Sequence, residues 1–279
     1  MGKMNKSYLA ALLNLLIMIK GIQICGFLSF LLFMVHSNIG LAQNYQSGFG
    51  LEFEDTADEN IAAILDFIAE DQQLIYDVVN ELNENLALPV PVPIKFGDCG
   101  QSNAFYMPDQ QAIVMCYEMI AQSFAIYQEL GYEGEDLSLA VGNNTISILL
   151  HEIGHALVDI LKLPITGREE DAVDQFSAIS LLFFEELGNE AIVDFASFWG
   201  GMSQYSESSL EDIAFFGEHS LDSQRFYDIL CLAYGSNQKE LGYLVDEQVL
   251  PQERAERCTE EFQRIVTAWD ALLSPYYRE

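Results

Sequence analysis

Two histidines and a glutamate within five residues form the part of this sequence best suited to chemistry. They are His151, Glu152 and His155, in the run His-Glu-Ile-Gly-His. Side chains four positions apart lie on one face of an α-helix, so both imidazoles can present a ring nitrogen to a single metal ion. The glutamate beside them can accept a proton from an attacking water. The spacing therefore predicts the site of a zinc hydrolase.

A catalytic zinc usually takes three protein ligands, so the two histidines leave one ligand to be found. The next stretch of the chain is rich in carboxylates that could supply it: Glu169, Glu170, Asp171 and Asp174. Outside the N-terminal segment, which holds His36, the sequence offers one further histidine, His219. The residues alone leave these candidates open.

The residues around the motif predict the helix that must carry it. Apolar residues recur at helical spacing through this stretch: Ile146, Leu149, Leu150, Ile153, Leu157, Ile160 and Leu161. Asn143, Asn144 and Thr145 offer side-chain oxygens that could cap its start. Pro164 ends the helix within a few residues, and a second helix is expected near Arg168.

These motifs resemble those of the gluzincins, the zinc peptidases similar to thermolysin, in which ExxxD follows HExxH on a later helix. Glu170 and Asp174 match that pattern. The resemblance implies that Glu170 completes a Zn²⁺ site with His151 and His155, and that Asp174 accepts a hydrogen bond from His151. It also implies that Glu152 is the general base. Glu169 and Asp171 stay as alternative ligands, because only fourteen residues separate His155 from Glu170, fewer than gluzincins generally have.

Upstream and downstream segments extend the resemblance. The run Asn103-Ala104-Phe105-Tyr106 is similar to the edge strand on which thermolysin-like peptidases hold an extended substrate. This implies substrate contacts at Asn103 and Ala104. Residues 99–118, 150–174 and 217–234 resemble a bacterial family of metallopeptidases of uncharacterised function.

A histidine beyond the third-ligand helix stabilises the oxyanion in such peptidases, often with an acid to orient it. The resemblance gives this role to His219, with Asp222 as the orienting acid. Arg225 and Tyr227 would supply further hydrogen-bond donors to the substrate.

An N-terminal segment of basic and apolar character predicts export. Residues 1–42 contain early lysines, a long apolar stretch and a final Gly-Leu-Ala triplet. This pattern is typical of a signal peptide cleaved after Ala42, and an uncleaved membrane anchor is the alternative. We therefore expect a secreted or periplasmic protein, which meets the membrane only if the segment is retained. A polar leader at 43–59 and a single zincin-like domain at 60–279 follow.

Cysteine usage is consistent with export. Beyond Cys25 in the N-terminal segment, four cysteines remain, which permits three pairings. We expect disulfides Cys99 to Cys116 and Cys231 to Cys258, because each closes a local loop. Four free buried thiols are the alternative.

The net charge of the chain limits the classes of binding partner that are expected. The chain has 12 Lys and Arg against 43 Asp and Glu, for a net charge of −31. Such a surface repels the phosphates of nucleic acid, so no nucleic-acid partner is expected. The expected partner is a peptide or protein substrate.

The remaining pattern predicts an α+β, helix-rich, zincin-like fold with a small sheet above the active-site helix. Residues 61–86 have the apolar spacing of a helix or a helical pair, and prolines at 89–93 end it. Short strands are expected near 94–96, 104–106 and 112–117. The leading hypothesis is a secreted zinc metallopeptidase. The alternatives are a zinc hydrolase of a non-peptide amide and an inactive metal-binding module.

Overall fold

The computed structural model describes residues 47–69, 72–184, 187–207 and 216–278. The expected signal peptide or anchor at 1–42 lies outside these ranges. Within them, no helix combines the length and the apolar character needed to cross a membrane.

A four-stranded sheet lies at the N-terminal side of the chain. Its strands are β1 (Gly48–Phe53), β2 (Pro91–Gly97), β3 (Ala104–Met107) and β4 (Ala112–Cys116). Their spatial order is β1-β2-β4-β3, with β1, β2 and β4 parallel and β3 antiparallel to β4. β3 therefore lies at an edge of the sheet.

Helices form most of the remaining described residues. They are α1 (Glu59–Phe67), α2 (Gln72–Asn85), α3 (Tyr117–Glu129), α4 (Gly134–Ile160), α5 (Glu169–Leu181), α6 (Gly188–Ser206), α7 (Asp222–Ser236), α8 (Tyr243–Asp246), α9 (Gln252–Ala255) and α10 (Cys258–Leu273). β3 and β4 contact α4, which carries the histidine motif. The expected α+β class, helix-rich with a small sheet, is confirmed.

β1 lies inside the segment that the sequence suggested was a polar leader. Its residues alternate Phe49, Leu51 and Phe53 with smaller or polar ones, and Phe49 is fully buried. Asn83 of α2 accepts a hydrogen bond from the Phe49 backbone N–H and donates one to its carbonyl. The sheet therefore includes residues 48–53, ahead of the expected domain start at 60.

β2 begins earlier than expected, within the proline run. Pro91 and Pro93 lie in the strand, although a proline cannot donate a ladder hydrogen bond. The pairing of β2 with β4 starts only at Ile94, opposite Ile113. Both prolines therefore lie where β2 has a strand neighbour on one side, which tolerates their missing N–H groups.

α4 also begins earlier than its sequence signals suggested. It starts at Gly134, so Asn143, Asn144 and Thr145 lie inside it and the N-cap prediction is wrong. Asn143 Nδ2 donates to Asp194 of α6 at 2.8 Å, and Asn144 Nδ2 donates to Ser123 of α3 at 2.7 Å. These partners on neighbouring helices satisfy polar side chains that local pattern alone assigns to a cap.

A glycine sets the spacing between α4 and α5. A β-carbon at Gly154 would lie 2.9 Å from two carbons of Val173, so the missing side chain lets α5 approach α4 closely. Ser177 Oγ of α5 donates to the Ser147 carbonyl of α4 at 2.6 Å, which secures the same contact. This close packing brings the acidic start of α5 beside the histidines of α4.

Both expected disulfides are present in the structure. Cys99 to Cys116 closes the loop that contains β3, and Cys231 to Cys258 links α7 to α10. Each ties an element near the site to a neighbouring element.

Candidate metal centre

Three imidazoles converge on one carboxylate oxygen at the junction of α4 and α5. Glu170 Oε2 lies 3.2 Å from His151 Nε2, 3.3 Å from His155 Nε2 and 2.9 Å from His219 Nε2. His151 and His155 come from α4, Glu170 from the first turn of α5, and His219 from the segment before α7.

The distances from Glu170 Oε2 to His151 and His155 are close to those between ligands that share a metal ion. Nitrogen and oxygen ligands at about 2.0–2.2 Å in tetrahedral geometry lie roughly 3.3–3.5 Å apart. His151, Glu170 and His219 offer donor atoms that all lie within 4.8 Å of one another, and His155 is not in this group. Imidazole nitrogens with one carboxylate oxygen form a donor set that divalent transition metals take.

The outer nitrogens of the two motif histidines also meet carboxylates. His151 Nδ1 lies 2.8 Å from Asp174 Oδ1, and His155 Nδ1 lies 2.8 Å from Glu169 Oε1. Each pair favours a proton on Nδ1 and leaves Nε2 as the free donor atom. Glu169 thus contacts the Nδ1 side of His155, whereas Glu170 contacts the Nε2 side of both rings.

The third acidic candidate of this run has another partner. Asp171 Oδ1 accepts a hydrogen bond of 2.6 Å from Ser220 Oγ. This contact joins the first turn of α5 to the segment that carries His219.

A buried arginine completes the chain of contacts behind His151. Arg225 of α7 donates from Nε to Asp174 Oδ2 at 2.7 Å and from Nη2 to Asp174 Oδ1 at 2.6 Å. Its guanidinium carbon lies 3.2 Å from the centroid of the Trp199 ring. Burial opposes the charge on Asp174, but Arg225 and His151 outweigh it and hold the pKa of that carboxyl well below its usual range.

Charge in the centre is complementary. Burial disfavours the charged form of His151, but the carboxylates of Asp174 and Glu170 outweigh this and raise the pKa of the imidazole to about 9. Burial likewise opposes the charge on Glu170, but the three histidines hold its pKa well below the usual range. The carboxylates thus favour positive charge at the point where the imidazoles meet.

Glu152 lies beside the centre and is buried. The backbone of Tyr106 in β3 favours the charged form of the Glu152 carboxylate. Burial raises the pKa of this carboxyl, although His151 and His155 act in the opposite direction. A buried carboxylate with a raised pKa is suited to accept and return a proton.

The sheet edge closes one side of the site. Asn103 and Ala104 line the same small cleft as His151, Glu152 and His219. The hydroxyl of Tyr106 donates to Asp159 Oδ2 at 2.9 Å, which ties β3 to the last turn of α4.

Comparison with protein families matches residues 53–273 to the DUF4344 family, described as "Putative metallopeptidase". The chain belongs to the DUF4344 family. No curated protein and no solved structure matches it. The matched range includes the histidine motif, the acidic start of α5 and His219, and the description of the DUF4344 family indicates a metal-dependent peptidase.

Two other predicted site residues of this DUF4344 chain, Asp222 and Tyr227, have their main contacts away from the candidate metal centre. Asp222 accepts a hydrogen bond from Ser206, and among the described residues no hydrogen bond or ion pair joins it to His219. Tyr227 is partly exposed and packs edge-on against Phe226, with ring centroids 4.9 Å apart.

Sequence reasoning missed the apolar side of the cleft. Met119, Phe195 and Trp199 line it from α3 and α6. Their helical spacing is that of ordinary core residues, so no local signal distinguishes them from other buried positions.

Proposed function

We propose that this DUF4344 protein is a secreted zinc metallopeptidase that hydrolyses peptide bonds. One observation carries the proposal: three imidazole Nε2 atoms lie within 3.3 Å of Glu170 Oε2, next to the buried Glu152. Family membership supports metal-dependent peptidase chemistry.

The ligands we propose are His151, His155 and Glu170. Their two nitrogens and one oxygen leave a position open, as catalytic zinc sites do. Zinc held there would supply a Lewis acid that acidifies water and polarises the substrate carbonyl. Asp174 and Glu169 hold the outer nitrogens of the two histidines, so both rings are oriented before a metal arrives.

Glu152 is the proposed general base. It removes the proton from the attacking water and then gives that proton to the leaving amine. The backbone of Tyr106 favours the charged form of this carboxylate, which is the form that acts as the base. Burial favours its protonated form, which suits a group that must carry a proton from one step to the next.

His219 is the proposed oxyanion donor. Its side chain is 55% exposed, whereas that of His151 is 7% exposed, so it can meet the substrate from the open side. A preorganised donor of this kind is typically worth about 10²–10³ in rate.

The substrate backbone is proposed to lie along β3. This strand is at the edge of the sheet, and Asn103 and Ala104 at its start line the cleft. An extended peptide can add to such an edge through main-chain hydrogen bonds that tolerate many sequences.

Secretion is supported by the two disulfides, since such bonds persist in oxidising compartments. The predicted signal segment at 1–42 points to the same location.

Substitution of Glu152 by Gln tests the proposal. The change keeps size and hydrogen-bonding ability but removes the base, so zinc content should stay near one per chain while peptide turnover falls by at least ~10²-fold. Elemental analysis and cleavage of a casein or peptide library by purified residues 43–279 measure both quantities. Wild-type protein that binds zinc but cleaves only non-peptide amides would contradict the peptidase assignment.

A further inference from the structure

The cleft beside the candidate metal centre has an apolar side that the catalytic residues do not use. Met119 of α3, Ile148 of α4, and Phe195 and Trp199 of α6 line it. Ile148 and Phe195 are themselves buried. A substrate whose backbone follows β3 would place one side chain against this surface.

The cleft is small. Its volume is about 70 Å³, and this includes the space next to the histidines. A cavity that accepts benzene has a volume of about 150 Å³. The space left for a side chain therefore suits a few methyl or methylene groups and is too small for an aromatic ring or a long basic side chain.

Trp199 cannot easily swing aside to enlarge the cleft. Arg225 lies 3.2 Å from the centroid of its ring, and the ring of Phe198 lies 5.0 Å away on centroids. Arg225 is itself held by two hydrogen bonds to Asp174. Arg225, which Asp174 holds in place, therefore restricts the movement of the Trp199 indole.

The charge around the cleft disfavours acidic side chains. Glu152, Glu170 and Asp174 surround the centre, and the guanidinium of Arg225 is already bound to Asp174. An incoming carboxylate would meet these like charges and the apolar side chains of the cleft.

We propose that Trp199 determines specificity by limiting the cleft to a short aliphatic side chain, such as alanine or valine, next to the scissile bond. Aromatic, long basic and acidic side chains are excluded from that position. This inference rests on the proposed peptidase function and adds the substrate class.

A cleavage-site survey with a mixed peptide pool, analysed by mass spectrometry, identifies the restricted position. Matched peptides with valine or phenylalanine there then give two values of kcat/KM. The wild type should favour valine by at least ~10-fold, since a poorly fitting apolar group typically costs 10–200-fold. Trp199→Phe, which keeps an aromatic face toward Arg225, should reduce that preference.

Met119→Ala is the second variant, because it widens the cleft from another helix without touching Arg225. It should shift the preference in the same direction. Equal cleavage of aromatic and valine peptides by the wild type overturns the inference while leaving the peptidase assignment intact. So does an unchanged preference in both folded variants. Failure to cleave any peptide overturns the proposed function, and this inference with it.

Discussion

His155 and His219 both place Nε2 near Glu170 Oε2, but they lie in different segments of the chain. His155 lies in α4, where Glu169 fixes its outer nitrogen at 2.8 Å. His219 lies in the segment before α7, and more than half of its side chain is exposed. A ligand benefits from a ring that is oriented in advance, whereas an oxyanion donor must meet the substrate. We therefore propose His155 as the metal ligand and His219 as the oxyanion donor.

Alanine substitutions separate the two roles. His155→Ala should lose bound zinc, because it removes a proposed ligand. His219→Ala should keep about one zinc per chain and lose about 10²–10³ in kcat, as expected for a single oxyanion donor. Metal content by elemental analysis and turnover on one peptide measure the difference. If His219→Ala strips the metal and His155→Ala does not, the ligand set is His151, Glu170 and His219.

At the scale of elements, the centre depends on how closely α5 packs on α4. Gly154 permits this approach, because a β-carbon there would meet the Val173 side chain at 2.9 Å. Val173 is fully buried, and a β-branched side chain in a helix has little freedom to move away. The distance between the two motifs thus depends on residues at their variable positions, Gly154 within HExxH and Val173 within ExxxD.

Gly154→Ala tests this packing. Alanine favours helix by about 1 kcal/mol over glycine, but overpacking a core typically costs about 1–3 kcal/mol. We therefore expect a net loss of stability in urea unfolding and weaker zinc binding, although no ligand changes. Gly154→Ala with Val173→Ala should recover much of the zinc affinity, because the clash is removed, and Val173→Ala alone is the control. Unchanged zinc affinity in Gly154→Ala would show that the spacing of α4 and α5 does not set the site.

Elements with local signals could be predicted from the sequence. The motif helix, the helix after Arg168, the short strands and both disulfides have recognisable spacing or punctuation. The start of α4 could not be predicted, because Asn143 and Asn144 mimic a cap and are satisfied instead by α6 and α3.

Within the candidate site, the limit of prediction has the same physical cause. HExxH and ExxxD are local patterns, and the structure brings their side chains together. Trp199 touches Arg225 only after α6 packs on α7, so its spacing looks like that of any core residue. A local sequence pattern does not reveal tertiary contacts of this kind.

The molecule as a whole is strongly acidic, and one of its carboxylates is buried between helices. Asp194 of α6 accepts hydrogen bonds from Asn143 of α4 at 2.8 Å and from Tyr132 at 3.3 Å, and its backbone carbonyl accepts one from Tyr127 of α3. Burial raises the pKa of this carboxyl to about 6, with Glu190 and Asp136 adding to the effect, although the hydrogen bonds oppose it.

This buried carboxyl makes the stability of the whole fold depend on pH. In the unfolded chain the aspartate has its usual pKa of 3.8, so between pH 4 and 6 the folded state binds the proton more tightly. Stability from this group is therefore lost as pH rises through that window, by about 3 kcal/mol in total.

Asp194→Asn and Asp194→Ala should both become more stable relative to wild type by about that amount between pH 4 and pH 7. Urea unfolding across this range measures the differences, and subtraction from wild type cancels the titration of the other acids. The alanine variant should show the same pH slope with a larger constant penalty, since it also loses the hydrogen bonds to Asn143 and Tyr132. A difference that stays flat with pH in both variants would show that Asp194 titrates alike in the folded and unfolded chains.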